Sequence, residues 1–245
     1  MASFYMHGPT LTYVTDPALE IPAQQRVIAE FIRCAPQQML RVAFRLPAAS
    51  DDELRSLLEW YLHTVAIAGM ERELLPSLVH NRPDVADSYS GTCLWMPARA
   101  IGADSAAEIY SVHNAHEALR AVASGASEVM FGHVFASGSH PGIPGRGVEP
   151  LKDITVRVRR DINEPIVTAI GGINPHTVGQ IGRARVFNVA CIRAISRSPD
   201  IARTLEDIRH QWVRSLIDED LNDPEPLAFG RMWGIWHRWE ADSRM

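Results

Sequence analysis

An apolar run, Val129-Met130-Phe131-Gly132, ends in His133 and leads through Val134-Phe135 into the loop Ala136-Ser137-Gly138-Ser139-His140-Pro141-Gly142. A buried strand that stops at a glycine and opens into a polar loop is where α/β proteins place their chemistry. His133 is the residue there that can give and take a proton near neutral pH. Two further stretches follow, Ile170-Gly171-Gly172-Ile173 and Ile192-Arg193-Ala194-Ile195. Glycines let backbone N–H groups approach an oxyanion without a clashing Cβ, and helix starts add partial positive charge. Gly171, Gly172, Ile192, Arg193 and Ala194 are therefore candidates for holding a phosphate. A Gly-Gly pair after a strand can equally be a plain turn.

These groups need elements to bring them together. Short β-branched or aromatic runs are expected as strands at Leu11–Thr15, Leu40–Phe44, Leu74–Val79, Thr92–Trp95, Glu108–Val112, Glu128–Phe131, Pro165–Ile170 and Val186–Cys191. Helical spacing of Val27, Ile28, Phe31 and Ile32 marks a helix over residues 23–34. Ser50 followed by Glu53 is a capping box opening a helix to about Ala68. Further helices are expected from His113-Asn114 to Ala123, from about Pro150 to Arg160, from Asn174-Pro175 to Ile181, and from Ser198-Pro199-Asp200 to about Leu216. Strands alternating with helices imply parallel pairing. About eight such units predict one closed (β/α)8 TIM barrel over residues 1–217, of the α/β class. Residues 218–245 form an acidic, then tryptophan-rich extension. Its Trp233, Trp236 and Trp239 lie along one face of an expected helix that packs on the barrel or on a second subunit.

The 245 residues suit one barrel of this type. A net charge of −5 gives no long-range attraction for nucleic acid or an anionic membrane, so neither is expected as a partner. No apolar run approaches the roughly 18 residues of a membrane span, and the first residues show no basic-then-apolar leader. Cys34, Cys93 and Cys191 are widely spaced, with no CxxC pair, which argues against a zinc site or a disulfide framework. The expected location is cytoplasmic.

The ordered set Tyr110-Ser111-Val112-His113, Phe131-Gly132-His133-Val134-Phe135, Pro141-Gly142, Gly145-Arg146-Gly147-Val148, Ala169-Ile170-Gly171-Gly172-Ile173 and Ile192-Arg193-Ala194-Ile195 resembles the thiamin phosphate synthase/TenI family. The resemblance covers residues 108–203 well. It extends weakly to Tyr13-Val14-Thr15-Asp16, Phe44-Arg45 and Asn81-Arg82-Pro83-Asp84-Val85-Ala86. It implies a (β/α)8 barrel, a thiazole phosphate ligand and a role in thiamin biosynthesis.

Within that resemblance, the chain departs from the synthase branch, which couples a pyrimidine diphosphate to the thiazole with Mg²⁺. The synthase QLREK-like strand reads Ala43-Phe44-Arg45-Leu46-Pro47 here, keeping the arginine without the lysine. The metal-binding Asn-Asp pair reads His80-Asn81, Trp95-Met96-Pro97-Ala98-Arg99 offers no second carboxylate, and the TxTK loop reads Ser137-Gly138-Ser139-His140. Mg²⁺ requires hard oxygen ligands, so no metal and no cofactor are expected. Gly132-His133-Val134-Phe135, where synthases have GPVF, looks like the TenI branch. That branch aromatises a thiazole phosphate carboxylate tautomer by moving a proton, which casts His133 as the catalytic residue. Substrate contacts are expected from Arg45, Asn81, Ser111, His113, Ser137, Ser139 and His140. For His140, as for His80 and His7, a solvated or structural role competes. Arg146 either pairs with an anion or holds its loop in shape, Cys93 reads as packing, and the Arg193 contact is expected from its backbone N–H. Two alternatives stand beside the tautomerase: thiamin phosphate synthase itself, and a catalytically silent binder of thiazole or thiamin phosphate acting as a regulator. The possible partner beyond the small molecule is a second copy of the chain.

Overall fold

A computed structural model describes residues 10–34, 40–69, 76–103, 107–138, 141–158 and 165–221. Eight strands close into one barrel in sequence order: β1 (Thr10–Val14), β2 (Leu40–Phe44), β3 (Ser77–His80), β4 (Thr92–Met96), β5 (Ile109–Val112), β6 (Glu128–Gly132), β7 (Ile166–Ile170) and β8 (Asn188–Cys191). Every neighbouring pair is parallel. Closure is made by β8 on β1, with Thr10 opposite Asn188 and Tyr13 opposite Cys191. The expected (β/α)8 barrel is the architecture found.

Strand side chains alternate between faces, and the register lines up two kinds of residue inside. Val14, Ala43, Leu78, Trp95, Ile109, Met130 and Ala190 form an apolar layer. Two residues earlier along their strands, Thr12, Arg41, Glu128 and Thr168 form a polar layer below it. Arg41 reaches Glu128 bidentately at 2.6 and 2.7 Å, and donates to Thr12 at 3.0 Å. Thr168 donates to the same carboxylate at 2.5 Å. The opposite face of each strand packs against the helices, through residues such as Tyr13, Phe44, Phe131 and Val189.

The helices are α1 (Ile21–Cys34), α2 (Asp51–Ile67), α3 (Pro83–Ala86), α4 (Ala115–Ala123), α5 (Val148–Val158), α6 (Val178–Arg183), α7 (Arg193–Ser196) and α8 (Ile201–Leu221). The capping box at α2 forms as expected: the Glu53 N–H donates to Ser50 Oγ at 3.2 Å, and the Ser50 N–H donates to Glu53 Oε2 at 2.8 Å. Four details differ from the sequence expectation. Residues 83–86, where no helix was expected, form the single turn α3, because Pro83 is pre-set for a first helical position. The β4–β5 connection shows only a 3-10 turn at Ala98–Ala100 among its described residues. Helix α6 begins at Val178, not Asn174, because the Asn174 carboxamide oxygen accepts from the His176 N–H at 2.8 Å and holds a turn. Helix α8 continues to Leu221 instead of ending near Leu216. Trp233, Trp236 and Trp239 of the expected extension lie outside the described residues. Among the described residues, no helix is long and apolar enough to cross a membrane.

Candidate active site at the C-terminal end of the barrel

Parallel strands bring all their C-terminal ends to one mouth. On the β6–β8 side, His133 directly follows the last residue of β6. Its Nε2 lies 3.1 Å from the Pro144 carbonyl oxygen. A carbonyl can only accept, so Nε2 carries the hydrogen, and in the neutral ring the lone pair resides on Nδ1. His133 as a whole is 8 % exposed. Its loop folds back on itself: the Arg146 N–H donates to His133 O at 3.0 Å, Arg146 Nε to Gly132 O at 3.0 Å, and the Gly147 N–H to Val134 O at 2.9 Å. Of the two roles open to Arg146, these bonds describe the one that holds the loop in shape.

The glycine pair sets how closely this loop docks on β7. Gly171 and Gly172 have φ of +101° and +67°. A Cβ on Gly171 would sit 2.3 Å from His133 Cβ, and one on Gly172 would sit 2.6 Å from Ala136 O. The Val134 and Phe135 N–H groups donate to Ile170 O and Gly171 O at 2.9 and 3.0 Å. The pair is therefore more than a plain turn, because only glycine allows both the left-handed backbone and this approach. Across the mouth, Ile192 precedes the single turn α7, and the first N–H groups of a helical turn, here those of Arg193 and Ala194, have no partner within the turn. The Arg193 guanidinium reaches over the backbone of Gly138. Ser137 Oγ and Arg193 Nε are both shielded from solvent and lack a hydrogen-bond partner among the described residues. The reach of the Arg193 side chain into this region was missed at the sequence level, where only its backbone N–H was expected to act. No periodicity reports which way a long side chain turns after a strand end.

The β2–β5 side is cationic. The Arg45 N–H donates to Thr15 Oγ1 at 2.8 Å, and burial holds its guanidinium below the ordinary arginine value. His80 packs edge-on against Trp95, with ring centroids 4.5 Å apart. The Trp95 indole donates to Ser111 Oγ at 2.9 Å, so Ser111 is turned to the barrel interior. Burial, followed by the nearby charges of Arg45, Arg99 and Arg82, depresses His80 to about 4. Arg82 also pairs with Asp51 at 2.9 Å. Arg99 was not singled out at the sequence level, since it follows β4 on a segment read only for its missing carboxylate. Asn81 takes a left-handed φ of 56°, and its N–H donates to Trp95 O at 2.9 Å.

Among the described residues, the contacts of His113 are those of the α4 cap. Its Nδ1 lies 2.9 Å from Glu117 Oε2, and its N–H donates to the same oxygen at 2.7 Å, as part of the Asn114 cap of α4. Ser139 and His140 lie outside the described residues. No group of three His, Cys, Asp or Glu side chains that could hold a metal occurs among the described residues. Burial pushes the Cys93 thiol up to about 11, as suits a packing residue.

The neutral state of His80 has a consequence for stability. Its folded value near 4 lies below the ordinary 6.5, so from pH 6.5 downward the unfolded chain binds a proton that the folded chain refuses. Stability is lost as pH falls through that window, by at most about 3 kcal/mol. Urea unfolding of the parent and of His80→Gln at pH 7 and 4.5 measures this. The parent is expected to lose more stability than the variant; equal losses would contradict it.

Residues 95–195 match the family model described as "Thiamine monophosphate synthase". The thiamine-phosphate synthase of Roseiflexus sp. (strain RS-1) is 30% identical over 154 residues, covering 59% of this chain and 63% of that protein. The thiamine-phosphate synthase of Methanoregula boonei is 35% identical over 102 residues, covering 41% of this chain and 45% of that protein. The matched stretch thus spans less than two thirds of these relatives. Among solved structures, the thiamine phosphate pyrophosphorylase from Pyrococcus furiosus superimposes with a TM-score of 0.67 at 20% identity, over 86% of this chain and 99% of that one. At that identity the likeness speaks for the fold. Over residues 95–195, which carry Ser111, His133, the glycine pair and Arg193, the chain is thus similar to the thiamine monophosphate synthase family.

Proposed function

We propose that this protein is a tautomerase of thiamin biosynthesis, aromatising a thiazole phosphate carboxylate by proton transfer through His133. The observation that carries the reading is the fixed imidazole at the end of β6. Its Nε2 meets the Pro144 carbonyl and its backbone is pinned to β7, which fixes the ring that would exchange a proton. The neutral imidazole would take a proton from a ring carbon, the C–H electrons would complete the aromatic system, and the imidazolium would return the proton to another atom of the same substrate. Nothing is gained or lost overall. Gly171, Gly172, Ile192, Arg193 and Ala194 would hold the phosphate. Arg45, Asn81, Ser111, Ser137, Ser139 and His140 would meet the rest of the ligand, with His113 contributing at the edge.

The decisive experiment incubates the protein with the non-aromatic thiazole phosphate tautomer in the presence of EDTA and follows the appearance of the aromatic product. Catalysed, chelator-insensitive turnover is expected. No turnover, or turnover abolished by EDTA, would overturn the reading. One observation favours a second reading, thiamin phosphate synthase: Arg45, Arg82 and Arg99 gather around His80, where a diphosphate would find positive charge. That reading predicts Mg²⁺-dependent coupling of a pyrimidine diphosphate to the aromatic thiazole phosphate.

A further inference from the structure

We propose that Trp95 is a specificity-determining residue: with His80 and Ser111 it fills the β3–β5 side of the mouth, so that the site admits one substrate ring and excludes a second. The inference rests on the reading of this mouth as the active site of a single-ring tautomerase, and deepens it by naming the residue that limits the substrate.

Three observations converge. The even-numbered strands contribute Ala43, Trp95, Met130 and Ala190 to the apolar layer of the interior, and four side chains from alternate strands make up one layer of such a barrel. Two of the four are only methyl groups, so close packing requires Trp95 and Met130 to fill what the alanines leave. The indole also rises out of its own layer. Its Nε1–H donates to Ser111 Oγ at 2.9 Å, and its ring meets the His80 ring edge-on with centroids 4.5 Å apart. Ser111 lies two residues beyond Ile109 and His80 two beyond Leu78, so both belong to the next interior layer toward the mouth. The hydrogen bond fixes the indole between these strands, and at 3 % exposed Trp95 offers no open face for another ring to stack on. Ser111 accepts this bond and still has its own O–H to offer a substrate. Finally, the positive charges on this side are those of Arg45, Arg82 and Arg99, which act on His80. An anion drawn to them would bring any ring of its own against His80 and Trp95. The arrangement therefore suits an anionic group borne by a ring held elsewhere in the mouth, and penalises a diphosphate that carries a second ring. His80 and Ser111 act here as positioning residues for the indole.

Calorimetric titration of the full chain with the pyrimidine diphosphate of the second reading, with Mg²⁺ present, tests this without any turnover. Trp95→Ala is expected to bind it at least about 10-fold more tightly than the parent, because truncation opens room for the ring. Trp95→Leu removes less bulk and should fall between, and Trp95→Phe should stay near the parent. A residue that only packs the interior would lose stability on truncation and gain no ligand. Unfolding midpoints establish which variants are folded; if Trp95→Ala is not, Trp95→Leu carries the comparison. Parent affinity as high as that of a folded, truncated variant, or no gain in that variant, would overturn the proposal. An equal gain for inorganic diphosphate, which has no ring, would mean that charge and not ring space had been opened, and would overturn it as well. A parent protein that excludes the pyrimidine diphosphate through Trp95 yet fails to aromatise the thiazole would leave the role of Trp95 standing and sink the tautomerase. Aromatisation by a parent that also binds the pyrimidine diphosphate as tightly as the variants would do the reverse.

Discussion

Replacing His133 with alanine is expected to slow aromatisation of the thiazole phosphate tautomer by about 10²- to 10⁴-fold, the usual contribution of one positioned acid/base. Phosphate affinity should stay within a few-fold, because the imidazole is not among the groups proposed to hold the anion. Alanine also removes the donor to the Pro144 carbonyl, so a loss in this variant alone could arise from a loosened loop. His133→Asn separates the two causes. Its carboxamide can still donate a hydrogen bond but cannot carry a proton between substrate atoms. Both variants are expected to lose turnover in steady-state assays while retaining phosphate binding. Turnover preserved in His133→Asn would reduce His133 to a loop anchor and remove the proposed mechanism. A silent binder would show no turnover to lose in any of these proteins.

The second large effect lies below the site, in the polar layer of the barrel. Glu128→Ala is expected to destabilise the fold by about 3–5 kcal/mol, because it leaves Arg41 charged and buried with its principal partner gone. Thr12 can still accept from Arg41 Nε, while Thr168 loses its acceptor as well. The cost belongs to the orphaned charge, not to a large favourable value of the pair itself. Replacing both partners together, as Arg41→Met with Glu128→Leu, is therefore expected to recover most of the loss. Equilibrium urea unfolding of the single and double variants checks both statements. A single variant as stable as the parent, or a double variant no better than the single, would contradict this account.

Much of the barrel was legible in the chain. Strand positions were readable because each strand is buried on both faces and is therefore a compact apolar run set off by polar turns, as in Leu78-Val79 or Val129-Met130-Phe131. Arg41 and Glu128 were legible as charges inside such runs, although their pairing was not: they come from strands that are not neighbours in the sheet, and only barrel closure brings them together across the interior. The helix starts at Ser50 and Asn114 were readable because capping is a local hydrogen-bond pattern. Asn174 misled for the same reason, since its side chain can equally stabilise a turn before the helix.

The residue types and order from Tyr110 to Ile195 determined by themselves that the chain is an alternating α/β protein similar to this family over that stretch, with an imidazole after one strand and a glycine pair after the next. Local propensities and spacing carry that information along the backbone. Only the tertiary structure decided that His133 Nε2 meets Pro144, that His113 turns to Glu117, that three arginines surround His80, and that Arg193 lies over Gly138. Those outcomes depend on where long or ring side chains point once eight separate strands have converged. Direction of that kind is set by packing and electrostatics between segments far apart in sequence, which no local pattern encodes.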